Sequence, residues 1–451
     1  MAAAAAVVLM KAVGDYGVKR KPSKFIMMVS RFWSMPLLCG FYLVVFLALP
    51  AQSETDTNEE TFDAVTAWTE FEAQFRLFYA YFERTDFDAN AVLSATRETA
   101  TAAATADEFR SLLQQMLFAW TDAHLLVGPL QQREFNIIPT NSDLVIRLED
   151  QRYIVRDVRS ASVADQNGVR PGWELLSVSG VPLHELSRRT LGTAVPNPTD
   201  KQLSYAATLV ANGRDSEPRI HSYADHTPQV VSVKMPSPTA APQDALRTVD
   251  VSSRGDVGIL RLNNSLGNNQ TIFDFDRALA ELAETSALIV DLRNTPSGGN
   301  TEVARSILGH FIEGTQSYQV HEIPSLEREF SVPRRFIEQV KPRVPLYPSA
   351  RVVVLGGFWT GSMGEGLVIG FDAATDAHVI ASDMADLLGG LYTIDLAWSA
   401  GRMSLGRESL FHVDGTPRED FVAPQELWSA DRDRRGDDPA IAAAMAYLLD
   451  E

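Results

Sequence analysis

The sequence predicts an α/β protein: a C-terminal core of alternating strands and helices, a β-rich module ahead of it, and a helical segment at the N-terminal side. Three observations carry this. Residues 248–451 hold short β-branched runs separated by helix-length amphipathic stretches, and such alternation implies crossover connections and a largely parallel sheet. Residues 136–238 change to short alternating runs punctuated by Asn-Gly, Pro-Gly and Ser-Gly. Between Phe62 and Leu126, aromatic residues recur at three- and four-residue spacing, the period of a helix face.

The first 53 residues read as a targeting segment. Lys19, Arg20, Lys21, Lys24 and Arg31 precede an apolar run from Pro36 to Ala51, and Ala51-Gln52-Ser53 offers small residues for cleavage after Ser53. That is the pattern of a secretory signal, with Met27 or Met28 as a more ordinary start. The run is short for a membrane-spanning helix. The single cysteine, Cys39, lies within it, so the exported chain would lack disulfides and thiol chemistry. The expected location is the bacterial periplasm or the extracellular space.

Charge excludes some functions. The whole chain carries −18. Six of its 40 Lys/Arg and one of its 58 Asp/Glu precede residue 54, leaving −23 for the remainder. A nucleic-acid partner is not expected at that charge, nor membrane association beyond the signal segment.

Residues 54–135 are expected to form helices whose aromatic stripe (Phe71, Phe75, Phe78, Tyr79, Phe82) is a core face, ending at Trp120-Thr121-Asp122-Ala123-His124. In 136–238, Tyr153–Val158 alternates as a strand. Ser162–Asn167 is a short helix stopped by Gly168, and Pro171-Gly172 opens a strand closed by Ser179-Gly180. Residues 192–217, polar with Pro and Asn-Gly, are expected as a loop or insertion, and Pro236–Pro242 as a linker. In 248–451, strands are expected at Val257–Leu262, Ala287–Leu292, Val352–Gly356 and His378–Ala381. Helices are expected at Phe273–Leu282, Glu302–Ile312, Gly364–Phe371 and Pro439–Leu449.

One turn stands out for chemistry. The apolar run ending in Gly356-Gly357 is followed by Thr360-Gly361-Ser362-Met363-Gly364-Glu365 and then helix formers. A glycine-flanked serine between strand and helix can expose its hydroxyl while backbone N–H groups point outward at the helix N-terminus. The spacing is not G-x-S-x-G, because position 360 is threonine. Acyl transfer also needs a base and oxyanion donors. The loop Asp291-Leu292-Arg293-Asn294-Thr295-Pro296-Ser297-Gly298-Gly299-Asn300 lets backbone N–H groups approach a ligand closely, and the Met363 N–H is the natural second donor. The same loop is equally compatible with a phosphate cradle or a tight βα turn. No His-Glu-x-x-His, EF-hand or P-loop spacing occurs, so neither metal nor cofactor is expected.

Residues 162–183 resemble the core signature of PDZ domains of the bacterial protease type. The order of that module, the Asp-Leu-Arg-Asn-x-Pro-x-Gly-Gly loop and the Thr-x-Ser-x-x-Glu turn is similar to the C-terminal processing (tail-specific) serine peptidases and the tricorn protease core, over residues 62–451. The resemblance implies a ClpP/crotonase-like core with an inserted PDZ-like domain. It makes Ser362 the nucleophile, with Gly298 or Gly299 plus Met363 as the oxyanion hole. One branch of that family takes its base from a lysine about 25 residues after the serine, but no lysine follows Ser362 here. The tricorn-like branch takes it from an Asp-x-His segment, which corresponds to Asp122-Ala123-His124, with Glu419 as the paired carboxylate. In tricorn a serine precedes the histidine where Ala123 stands, so either Glu419 or Asp122 is left to orient His124.

Neutral histidine can accept a serine proton and return it to a leaving amine, and a buried carboxylate would hold its tautomer. The expected function is therefore an exported serine endopeptidase of polypeptides, cutting near chain ends presented by the PDZ-like domain. The alternative is a catalytically silent protein that binds peptides or an apolar ligand on the same fold. A crotonase-type acyl-CoA enzyme is a weaker rival, since free CoA substrates are cytosolic. The oligomeric state is open.

Overall fold

The computed structural model describes residues 62–450, apart from 84–85, 131–133, 215–216, 226, 228, 237–246, 348–350 and 399–400. The expected signal segment 1–53, with Cys39, lies outside the described residues, as does most of the linker after Pro236.

The chain enters through α1 (Ala64–Phe78), α2 (Ala89–Thr101) and α3 (Ala106–Leu117). Side chains of Asp63, Asp88 and Thr105 accept N–H bonds at the three N-termini, satisfying donors that a helix start otherwise orphans. The aromatic stripe is buried except for Phe78, which is half-buried: Phe75 packs within 5.0–5.6 Å of Phe71, Tyr79, Phe82 and Trp120, centroid to centroid.

Next come β1 (Leu126–Gly128) and an antiparallel sheet of β2 (Leu144–Glu149), β3 (Arg152–Val158), β4 (Glu174–Val178), β5 (Val181–Pro182), β6 (Arg219–Ala224) and β7 (Val230–Met235). Its order is β2-β3-β4-β6-β7, with β5 paired to β4. Three helices accompany it, α4 (Val163–Gln166), α5 (Leu183–Leu191) and α6 (Asp200–Asn212).

Helix α6 corrects the expectation of a loop over 192–217. Thr199 and Gln202 form a reciprocal capping box that starts it. Its polar residues, which suggested a loop, serve the edge strand β2 instead. Asn212 Oδ1 accepts from Asp143 N (2.8 Å), Thr208 Oγ1 from Ile146 N (3.1 Å) and Ser204 Oγ from Leu148 N (2.9 Å). Asn212 Nδ2 and Thr208 Oγ1 donate back to the carbonyls of Leu144 and Ile146. A strand edge covered in this way has its backbone groups satisfied without another strand.

The remainder builds the core sheet from β8 (Val249–Arg254), β9 (Val257–Asn263), β10 (Ala287–Asn294), β13 (Val352–Gly356), β14 (His378–Ala381) and β17 (Gln425–Glu426), in the order β17-β14-β13-β10-β9-β8. The strands from β9 to β17 run parallel and β8 closes the edge antiparallel. Every residue of β10 and β13 is buried, because helices cover both faces. On one face Leu288, Val290 and Leu292 share a core with α7 (Gln270–Glu281), α8 (Thr301–Leu308) and α10 (Met363–Ala374). On the other, Ile289 joins Ile441, Ala444 and Leu448 of α11 (Pro439–Asp450). The strands expected at Val352–Gly356 and His378–Ala381 appear with those bounds.

A third sheet is made of β11 (Gln316–Glu322), β12 (Arg335–Val340), β15 (Gly390–Asp395) and β16 (Arg402–Phe411), with α9 (Pro324–Phe330) between β11 and β12. It also takes in β1, which pairs with β16 through Leu126↔Ser404. That pairing ties the end of the helical segment, and therefore His124, onto the C-terminal half of the chain.

Candidate active site

Strand β13 delivers the chain to the Ser362 turn, and the turn is clamped to the end of β10. Thr360 Oγ1 donates to Leu292 O (3.0 Å) and accepts from Gly357 N (3.0 Å), while Gly361 N donates to Thr295 O (3.0 Å). Trp359, fully buried, donates its indole N–H to Ser142 of the antiparallel module. Ser362 sits at the N-cap of α10 with φ +53° and ψ −111°. A non-glycine residue in that region is strained, and such strain persists where surrounding bonds over-determine it. Its own N–H donates to Glu365 Oε2 at 2.6 Å.

The glycine loop after β10 meets this serine. A Cβ on Gly298 would lie 3.2 Å from Ser362 Oγ, so only a glycine leaves the hydroxyl unpressed from that side. Gly299 does something else: a Cβ there would fall 2.5 Å from Leu266, which marks it as a packing glycine. Ser297 N and Oγ both bond Asn264 Oδ1, pinning the loop. Met363, the other expected donor, is the first residue of α10, where backbone N–H groups have no intrahelical acceptor.

His124 is buried at 7% exposure, two residues before β1. Its Nδ1 lies 3.0 Å from the Leu388 carbonyl. A carbonyl only accepts, so Nδ1 carries the proton and Nε2 the lone pair. Asp122 does not hold the ring. Its Oδ1 accepts from the main-chain N–H of His124 (2.9 Å) and of Leu388 (3.3 Å), and its Oδ2 from the Tyr79 hydroxyl (3.0 Å). Burial lowers the His124 pKa from its ordinary value; Asp122 and the Leu388 bond raise it in part and the Arg418 charge lowers it further. Burial raises Asp122, with His124 and the hydrogen bonds to His124 N, Tyr79 and Leu388 opposing.

Among the described residues no hydrogen bond joins the His124 ring to Ser362, Asp122 or Glu419. Glu419 lies in a short 3-10 turn (Arg418–Asp420), half-buried. Burial pushes the Tyr81 hydroxyl well above its usual value; the Glu419 charge adds to this, and the Arg418 and Asp122 charges are also felt there. That places all three charges in one neighbourhood.

The residue that binds the parts together is one the sequence did not flag. Arg418, 4% exposed, donates from Nη1 to Ser362 O (3.2 Å) and from Nη2 to Leu387 O and Gly389 O. It also lies 3.6 Å from Glu365 Oε2. Burial raises Glu365 to about 8, against the pull of Arg418. Arg418 thus reaches the serine turn and the loop whose Leu388 carbonyl orients His124. A lone cation before two acids in Thr416-Pro417-Arg418-Glu419-Asp420 was its only signal. The Leu388 carbonyl had none, being main chain.

The fold has known counterparts. The chain matches mature CPAF with a TM-score of 0.56 at 15% identity, covering 81% of this chain and 92% of that one. It matches mature CPAF complexed with lactacystin at 0.55 and 15%, over 86% and 97%. It matches the photosystem II D1 C-terminal processing protease at 0.50 and 14%, over 81% and 93%. The chain shares their fold. No family model matches the sequence, and no curated protein matches it. Among the described residues there is no cluster of three or more His, Cys, Asp or Glu able to hold a metal, and no helix long and apolar enough to cross a membrane.

Proposed function

We propose that this chain is an exported serine peptidase that cleaves polypeptides through an acyl-enzyme on Ser362. The observation that carries the reading is the strained serine at the strand-to-helix turn with Gly298 against its Oγ. In the reaction, Ser362 Oγ adds to the scissile carbonyl as its proton passes to Nε2 of His124. The C–N bond breaks as His124 returns that proton to the departing amine. A water deprotonated by the same nitrogen then hydrolyses the ester and restores the hydroxyl. The N–H groups of Met363 and Gly298 face the developing oxyanion.

His124 suits the base role because its lowered pKa keeps it neutral at pH 7 and Leu388 O fixes the tautomer with Nε2 unprotonated. Hydrogen bonds to the base tighten when substrate arrives, so the separation from Ser362 in the free chain is compatible with this. The orienting work falls to the Leu388 carbonyl, with Asp122 fixing the main chain. The resemblance of residues 136–238 to a PDZ-like domain supports contact with polypeptide. Presentation of a chain end by strand addition at β2 is not part of the proposal, because α6 already holds that edge.

The test is covalent labelling of the chain by a fluorophosphonate probe. Labelling that disappears in Ser362→Ala supports the reading. Absence of labelling in the parent chain, or persistence in the variant, favours a silent binding protein.

A further inference from the structure

His124 takes its orientation from the Leu388 carbonyl, so whatever seats that carbonyl seats the base. The stretch from Leu388 to Gly390 lies directly on strand β16. A Cβ on Gly406 would collide with Leu388 O, and one on Gly389 would collide with Glu408 O, so the two backbones meet with no side chain between them. Gly390 pairs with Glu408 and Leu391 with Gly406, which leaves Arg407 as the extra residue of a β-bulge beside the carbonyl. A bulge re-aims the chain locally, and this one lies where Leu388 O is set.

The Glu408 end of the bulge carries an ionic clamp. Glu408 Oε2 lies 3.3 Å from where a Cβ on Gly390 would stand, and 2.7 Å from Nδ1 of buried His321. The other ring nitrogen, Nε2, lies 3.3 Å from Glu338 Oε2. His321 on β11 is thus set between a carboxylate of β16 and one of β12, its ring stacked on Phe336 at 4.6 Å. A neutral imidazole has one N–H and one lone pair, and would turn that lone pair to one of the two carboxylates; only the imidazolium donates to both. Gln319 agrees with a proton on Nε2. Its amide group faces Nε2 at 2.9 Å while its Oε1 is buried without a donor, and the amide turned over offers that oxygen to the Nε2–H.

Other charged and titratable groups reach the ring through its neighbours. Arg305 of α8 lies 3.8 Å from Glu338, and the Tyr318 hydroxyl is beside the same carboxylate. Arg334 lies over Phe336, and Arg335 pairs with Glu322 on the adjoining positions. Burial lowers the His321 pKa, but the bonds and charges of Glu338 and Glu408 outweigh it and hold it above its ordinary value.

We infer that His321 is a positioning residue: its imidazolium clamps Glu408, and with it the β16 bulge that seats the Leu388 carbonyl against His124, and loss of that proton releases the clamp and misplaces the base. The bearing on activity rests on the peptidase reading; the coupling of the two histidine rings does not. Two histidines then divide the pH range, because His124 must be neutral and His321 charged.

The test is NMR of the imidazole groups, with ring nitrogens labelled, in the full chain carrying Ser362→Ala, followed from about pH 5 to 10. The expected result is a His321 ring protonated on both nitrogens at pH 6.5, the ordinary midpoint, and titrating above it. The His124 Nδ1–H resonance shifts with the same midpoint. Glu408→Gln, which keeps the size of the side chain and removes its charge, moves both midpoints together to lower pH, and His321→Gln removes the His124 step. A His321 ring mainly neutral at pH 6.5, a His124 resonance indifferent to the His321 titration, or a step that stays at its pH in Glu408→Gln overturns the inference. Thermal melting shows that each variant is folded, and the parent titration and Glu408→Gln decide should His321→Gln fail to fold. With Ser362 present, fluorophosphonate labelling falls about tenfold as pH rises through the same midpoint; a rate that stays level there overturns the effect on the base. A chain that takes no label defeats the peptidase reading, and the resonances then decide the coupling alone.

Discussion

The serine and histidine sides of the candidate site are held in different ways. Ser362 follows a strand buried along its whole length, and its turn is tied to the neighbouring strand by main-chain and threonine hydrogen bonds. His124 hangs on a short turn after a left-handed Thr121, and its ring is oriented by one main-chain carbonyl of a loop far along the sequence. The serine side is therefore a property of the core sheet, whereas the histidine side depends on contacts between distant segments. Rigid elements pre-organise a reacting group more tightly than loops do. The serine half should tolerate distant change, and the histidine half should be where activity is gained or lost without loss of fold.

Substitutions can break that contrast in order of severity. Ser362→Ala should lower peptidase activity by about 10⁴-fold or more and abolish fluorophosphonate labelling, with an unchanged melting temperature. His124→Ala should lower activity by roughly 10³-fold or more while Ser362 stays in place, read as a slower labelling rate in a folded protein. Arg418→Gln should cost about 10–10²-fold, since it frees both the Ser362 turn and the Leu387–Gly389 loop. It should also raise the His124 pKa, moving the acid limb of the kcat/KM profile upward in pH; a limb that stays put would separate Arg418 from His124. Gly298→Ala should reduce activity by about tenfold through its Cβ beside Oγ, while Gly299→Ala should act chiefly on stability.

The pH dependence separates the two sides further. His124 must be neutral to act, and burial lowers its pKa. Activity should therefore persist below pH 6.5 and fall only as pH drops through the lowered value. Glu365 behaves oppositely. Its folded value of about 8 exceeds the ordinary 4.5, so between those values the folded chain holds a proton that the unfolded chain has lost. Stability from this group is full below pH 4.5 and declines as pH rises toward 8. Glu365→Gln should flatten the fall in melting temperature between pH 5 and 9. A residual slope should remain from Asp157 and Asp431, which burial also raises.

The same contrast explains what was legible in the sequence. The β-branched runs at Val352–Gly356 and Ala287–Leu292 were readable because strands buried on both faces are apolar at nearly every position, the one charge among them, Asp291, being paired with Arg293. The glycine-flanked serine was readable because the turn requires those residue types. Helix α6 was not, because Ser204, Thr208 and Asn212 look like loop residues until β2 is present to receive them. The Leu388 carbonyl leaves no side-chain signature at all, and Arg418 is a lone cation among acids. Asp122 and Glu419 were both candidates for orienting His124, but the ring meets the carbonyl of Leu388 instead, on a loop whose path no local pattern encodes. Strand-borne parts of the candidate site were local in the sequence, and loop-borne parts were not.

The most direct measurement is the rate of fluorophosphonate labelling at Ser362 as a function of pH, in the parent chain and in His124→Ala. The expected result is a labelling rate that titrates with a single group below pH 6.5 in the parent and is slow and flat with pH in the variant. Equal rates and equal pH profiles in the two proteins would contradict a His124–Ser362 pair.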